Sequence, residues 1–192
     1  MKSAFLRSAP LVLAASLAAC AGGGGGKAPI GSGVEVARFH LGDPVARAQI
    51  AVEPFDKADA NRPEFPAYAA AVGRQLSRLG WQVVPTATNS EQIALIDLEQ
   101  GSREAVAALS AARIGRGLSP AAPAGTSANV TATLLEVAIR RRSDGTVFWE
   151  GRAVGEARTD SPQAARTAAV ERLAEALFRD FPGESGRTIR VK

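Results

Sequence analysis

Residues 131–153 limit the possible folds more than any other stretch. Thr131, Thr133, Leu135, Val137 and Ile139 fall on every second position, and Val147, Trp149, Gly151 and Ala153 repeat the pattern after a short polar break. A period of two is that of a strand with one face against a core. The break holds Ser143-Asp144-Gly145. A two-residue Asp144-Gly145 loop would set Ile139 opposite Glu150, an apolar group against a charge. A three-residue loop, Ser143 to Gly145, sets Ile139 opposite Trp149 and Glu136 opposite Arg152. A slip of one residue turns every side chain to the other face, so parity selects the three-residue loop. Gly145 can supply the left-handed bulge residue that such loops need. The sheet must be built around this hairpin.

The flanking segments supply the rest of a two-layer domain. Val34 to His40 and Gln49 to Phe55 read as strands, the second stopped by Pro54. Phe65, Tyr68, Ala69, Val72, Leu76 and Leu79 recur at helical spacing, with Pro63 and Pro66 suited to a first turn and Gly80 at the left-handed C-terminal position. Trp81 to Val84 and Gln92 to Leu98 are two further strands. Ser102 to Gly117 fits either a capped helix or an extended run. Within residues 100–130 a mobile loop, Gly115 to Gly125, is expected from its Gly, Ala, Pro and Ser content. Ser161-Pro162 opens a second helix whose buried face is Ala165, Ala169, Leu173, Ala176, Leu177 and Phe181, and Arg187 to Val191 closes the chain as a strand. The expected class is α+β: a two-layer sandwich, a mostly antiparallel sheet of about six strands with two helices packed on one face. Aromatic residues are only 5% of the chain against 46% hydrophobic, so Ala, Val, Leu and Ile build the core, with Trp81 and Trp149 inside it.

The N-terminus has a different character. Lys2 and Arg7 precede a short apolar run from Leu11, then come small residues and Cys20, the chain's only cysteine. That run is too short to cross a bilayer, which takes about 20 apolar residues. Leu17-Ala18-Ala19-Cys20 resembles the lipobox of bacterial lipoproteins. The resemblance implies a signal peptide over residues 1–19, removal of that signal, and acylation of Cys20. Residue 21 is Ala rather than Asp, which in lipoproteins implies transfer to the outer membrane, on its periplasmic face. One acyl chain binds a membrane only marginally, whereas two or more hold it stably. Residues 20–33, with five consecutive glycines, are then a lipidated tether of roughly 20 Å r.m.s. reach. Residues 34–192 form one domain. Loss of the signal removes Lys2 and Arg7 and takes the formal charge from +4 to +2. So small an excess gives no ground for nucleic-acid binding.

Two further stretches carry a second resemblance. Val147-Phe148-Trp149-Glu150-Gly151-Arg152-Ala153, followed by a helix ending Leu177-Phe178-Arg179-Asp180-Phe181-Pro182, is similar to the bacterial family called domain of unknown function 4136. Phe39-His40-Leu41-Gly42 and the Tyr68 to Gly80 helix agree with it. The resemblance implies an envelope lipoprotein, and it brings no catalytic residues.

Chemistry-bearing residues are few. His40 is the only histidine, so a two-histidine metal site is excluded and any nucleophile–base pair would have to use it. Asp43, Asp56, Asp59 and Glu64 lack the spacing of a calcium loop and read as solvated loop acids. No cofactor or metal is expected. Arg140, Arg141 and Arg142, with Arg152, could form a basic surface on the hairpin for lipid headgroups or an anionic envelope polymer such as peptidoglycan. The preferred expectation is a non-catalytic, lipid-anchored module that meets membrane lipid through acylated Cys20 and binds an envelope protein or other envelope component. A structural lipoprotein contacting lipid or peptidoglycan and an envelope enzyme using His40 are the alternatives.

Overall fold

The computed structural model describes residues 33–42, 46–113 and 129–192. The expected signal, Cys20 and nearly all of the tether lie outside the described residues, as do Asp43 and the loop expected from Gly115 to Gly125. Seven strands form one sheet: β1 (Val34–His40), β2 (Gln49–Pro54), β3 (Gln82–Val83), β4 (Gln92–Gly101), β5 (Val130–Arg141), β6 (Val147–Arg158) and β7 (Thr188–Val191). Their order across the sheet is β3-β2-β4-β5-β6-β1-β7. The helices are α1 (Phe65–Arg78), α2 (Arg103–Arg113) and α3 (Arg166–Phe178).

The sheet is larger and more mixed than the expected six mostly antiparallel strands. β2 runs parallel to both β3 and β4, while β1, β5, β6 and β7 pair antiparallel. The cause is α1, which carries the chain back as a crossover so that β3 enters in the direction of β2, as a parallel pair requires.

The expected pair of helices, α1 and α3, covers one face. Tyr68, Val72 and Leu76 of α1 and Val170, Leu173 and Leu177 of α3 join Val36, Ile50, Ile96, Leu135, Val137, Ile139 and Trp149 in one buried cluster. Each such Leu or Ile contributes about 2 kcal/mol through apolar burial. The third helix, α2, lies on the opposite face, where Val106 packs on Ala132, Leu134 and Val154. Leu134 and Leu135 are successive strand residues and so point to opposite faces, which fixes this assignment. The described part of the ambiguous Ser102 to Gly117 stretch is thus helical over Arg103–Arg113, and the Ser102 hydroxyl accepts the Ala105 N–H at 3.1 Å as its N-cap.

The hairpin register is the expected one: Ile139 opposes Trp149, and Glu136 opposes Arg152. It is reached differently. Arg141 N–H donates to Thr146 O, leaving a four-residue connection from Arg142 to Asp144 and Gly145, and a register shift beyond Ile139 absorbs the extra residue at Phe148. Gly145 takes φ +72°, as a left-handed turn position requires.

At α3 the expected cap fails. Ser161 donates its hydroxyl back to Arg158 O at 2.7 Å, residues 162–164 form a 3-10 turn, and α3 starts only at Arg166. A hydroxyl turned onto the end of β6 is unavailable to the helix. The far end of α3 is held by Arg38, a buried residue of β1. Its Nε and Nη2 donate to Leu177 O at 2.8 Å and Ala176 O at 3.0 Å, a cation against the negative end of the helix. Burial pushes the Arg38 pKa down, and the Asp180 carboxylate opposes that shift. Gly183 (φ +79°) passes directly over the guanidinium, where a Cβ would meet Arg38 Nη1 at 2.7 Å.

Candidate binding surface

The four hairpin arginines do not form one surface. Arg152 is buried, its side chain only 9% exposed, with Nε 2.6 Å from Glu136 and Nη2 3.4 Å from Glu150. It therefore leaves the expected contact patch. The register that paired Glu136 with Arg152 set the two charges inside the sheet face, where a guanidinium is kept by its carboxylates. Arg140 is half-buried, with its Nε enclosed. Arg142 is exposed but donates to the carbonyls of Ala87 and Thr88, stapling the hairpin to the turn before β4. Arg141 is exposed, 3.6 Å from Asp144 Oδ2. The Asp144 carboxyl lies below the usual carboxylate range, chiefly because it accepts the Thr146 N–H, with Arg141 adding a smaller pull.

His40 ends β1. Its Nδ1 accepts the Gly42 N–H at 3.2 Å, so the proton sits on Nε2, which donates to Gly183 O at 3.0 Å. Its own N–H donates to Ser185 Oγ at 3.2 Å. The ring thus clamps β1 to the segment after α3. In the same region Trp149 Nε1 donates to Pro182 O at 3.0 Å, and its ring stacks on Phe178 at 5.2 Å. Both tryptophans are core residues, as expected.

Of the loop acids, Asp59 pairs with Arg62 at 2.8 Å and Asp56 caps the following 3-10 turn through Ala58 N–H. Among the described residues no three His, Cys, Asp or Glu side chains are placed to hold a metal ion.

A concave surface lies at the opposite edge of the sheet from β7. One side of α1, with Ala70, Arg74, Ser77 and Arg78 exposed, Ala69 half-buried and Gly73 buried, faces Val52 and the segment Val83 to Pro85 across an open, mainly apolar cleft of about 580 Å³. It exists because β3 is two residues long and meets β2 only at Gln49 and Ile50. The Val84 N–H donates to Ile50 O at 2.9 Å, and then Pro85 turns the chain away. Phe55 N–H donates to Ile96 O on the β4 side, so the backbone groups of Val52 alternate to the outer edge. Arg74 pairs with Glu171 of α3, and Arg78 meets the Gln75 amide at 3.4 Å. Sequence reasoning missed this cleft. The available signals were the small residues Ala69, Ala70, Gly73 and Ser77 beside the apolar face of α1, and the Val83-Val84-Pro85 stop.

No family model matches the chain. The chain is similar to an uncharacterised protein of Zymomonas mobilis, at 26% identity over 212 residues, covering 83% of this chain and 80% of that protein. Among solved structures it is similar to a PDZ domain protein from Parabacteroides distasonis, with TM-score 0.50 and 11% identity, covering 82% of this chain and 38% of that one. It also aligns with the PelC dodecamer from Paraburkholderia phytofirmans at TM-score 0.41 and 9% identity, over 73% of this chain and 94% of that one. At 11% identity the likeness to the Parabacteroides distasonis protein speaks to fold alone.

Proposed function

We propose that this protein is a lipoprotein of the outer membrane, held at the periplasmic face by acylated Cys20, whose domain binds another envelope component and carries out no catalysis. We also propose that it belongs to the family called domain of unknown function 4136. The observation that carries the non-catalytic reading is His40: both ring nitrogens are committed to the backbone groups of Gly42 and Gly183, so the one histidine acts as a clamp rather than a base.

The lipobox supports the anchor, and the topology supports a presenting role. β1 starts at Val34, beside Val191 of β7, at one end of the sheet. The hairpin tip lies beyond the opposite end, since Val34 pairs with Gly155 of β6 and the tip precedes Val147, roughly 25 Å further along the strands. Arg141 and Arg142 thus face away from the point where the tether enters, which weighs against headgroup contact through them. The cleft, five strand spacings across from β1, is about 24 Å to the side.

Intact mass of the membrane-extracted protein tests the anchor. The expected mass is residues 20–192 plus acyl groups, lost in Cys20→Ala; an unmodified chain retaining residues 1–19 would overturn it. For the non-catalytic reading, His40→Ala at wild-type abundance should restore every envelope phenotype of a deletion strain. Failure to do so would favour the enzyme alternative.

A further inference from the structure

We infer that the cleft beside β2 takes an extended segment of a partner protein, added as a strand in line with β3, with apolar side chains on the cleft side and a carboxylate reaching Arg78. This deepens the binding-module reading and rests on it. Three observations converge. The first is a partly used strand edge: β3 occupies only the Gln49–Ile50 end of β2, leaving the N–H and C=O of Val52 and the C=O of Pro54 on the side where a continuing strand would lie. Pro54 offers no N–H, so the edge suits a short added strand rather than a long one.

The second is the shape and chemistry of the floor. Side chains alternate along a strand, so every second residue of the incoming segment would point between α1 and Val83 to Pro85, into the space above Val52, Ala69 and Gly73. That space is bordered by small or apolar groups. Val83 (38% exposed) and Phe55 (65% exposed), two of the large hydrophobic residues left in solvent, flank the same edge. The third is charge. Ser77, Arg74 and Arg78 form one wall, and Val83, Val84 and Pro85 form the other with no charge at all. The acid Glu171 is already taken by Arg74, whereas Arg78 has only a long contact to a neutral amide. A carboxylate on the incoming strand is the complement of that wall. Backbone hydrogen bonds would give affinity, and the apolar and acidic side chains would give selectivity, as in other strand-addition sites.

The test uses full-length acylated protein in detergent and, as probe, a capped seven-residue peptide alternating Val with Glu and Thr, labelled for fluorescence anisotropy. Saturable binding is expected. Arg78→Glu should weaken it about tenfold, the loss of one favourable charge contact and its replacement by a repulsive one. A copy of the probe N-methylated on alternate residues of its pairing edge should not bind, because it cannot form the ladder. Arg78 is exposed, so that variant keeps its fold, which a denaturation midpoint unchanged from wild type checks. No binding of the probe would overturn the proposal. So would equal binding of the N-methylated copy, which would mean charge attraction alone, or concentration-dependent dimerisation that blocks the probe, which would make the occupant a second copy of this chain. Crosslinked capture from envelopes separates the two readings: if wild type and Arg78→Glu capture the same protein, the binding module stands and this site falls, whereas if neither captures anything the module reading itself fails.

Discussion

Arg38 shows how much one side chain can fix. It sits on β1 at a position whose parity sends it toward the helices, and a charge there looks wrong until α3 is seen to end above it. The guanidinium closes two helix-terminal carbonyls at once, so the buried cation is satisfied rather than stranded. Arg38→Ala should cost about 3 kcal/mol, because it leaves those carbonyls unpaired in the interior as well as removing the bonds. Arg38→Lys should recover only part, since an ammonium cannot reproduce the fork. Urea denaturation of the three proteins side by side gives both numbers. A loss under about 1 kcal/mol for the alanine variant would mean the carbonyls find water. Sequence reasoning placed the Val34 to His40 strand that holds Arg38 without seeing this. The carbonyls it serves come from residues about 140 positions away, and no local pattern marks them.

Among the elements, those with a strong period were legible, and those decided by neighbours were not. β1, α1 and the β5–β6 register follow from alternation or helical spacing in the residues themselves. The face taken by α2 was not legible, because Val106 gives it only a narrow apolar contact and Leu134 and Leu135 are equally apolar toward opposite sides. For the same reason Arg152 was paired correctly with Glu136 and yet placed at the surface: parity names the partner but not the depth. Two outcomes belong at this scale. Ser102→Ala removes the N-cap of α2 and should cost about 1 kcal/mol, read as faster amide exchange in the first turns of α2 with the rest of the sheet unchanged. The hairpin turn should also respond to acid. The folded Asp144 carboxyl has a pKa below its ordinary value, so its contribution is complete above the ordinary carboxylate range and is lost as pH falls through the depressed value. The protection of the Thr146 amide, taken relative to its intrinsic exchange rate at each pH, should fall in that acid window, and Asp144→Asn should abolish this pH dependence.

For the molecule as a whole, the buried apolar core among the described residues runs from Val34 to Val191, so a protein lacking the residues before Gly33 should still fold. A protein starting at Gly33 should match the thermal midpoint of the full-length protein within about 2 °C, because the described core begins at Val34. A larger drop would show that residues before Gly33 pack on the domain. The pairing of β1 with β7 at one sheet edge bears on how an anchored domain would carry load. If the lipid holds Val34 while a partner pulls from the far side, tension runs along β1. That strand is flanked by seven paired residues on β6 and four on β7. Force along a strand strains all of those backbone bonds together, whereas force across it would open them one at a time. If Cys20 is the anchor, such a pull loads β1 in shear, and the backbone bonds on both of its sides resist it together.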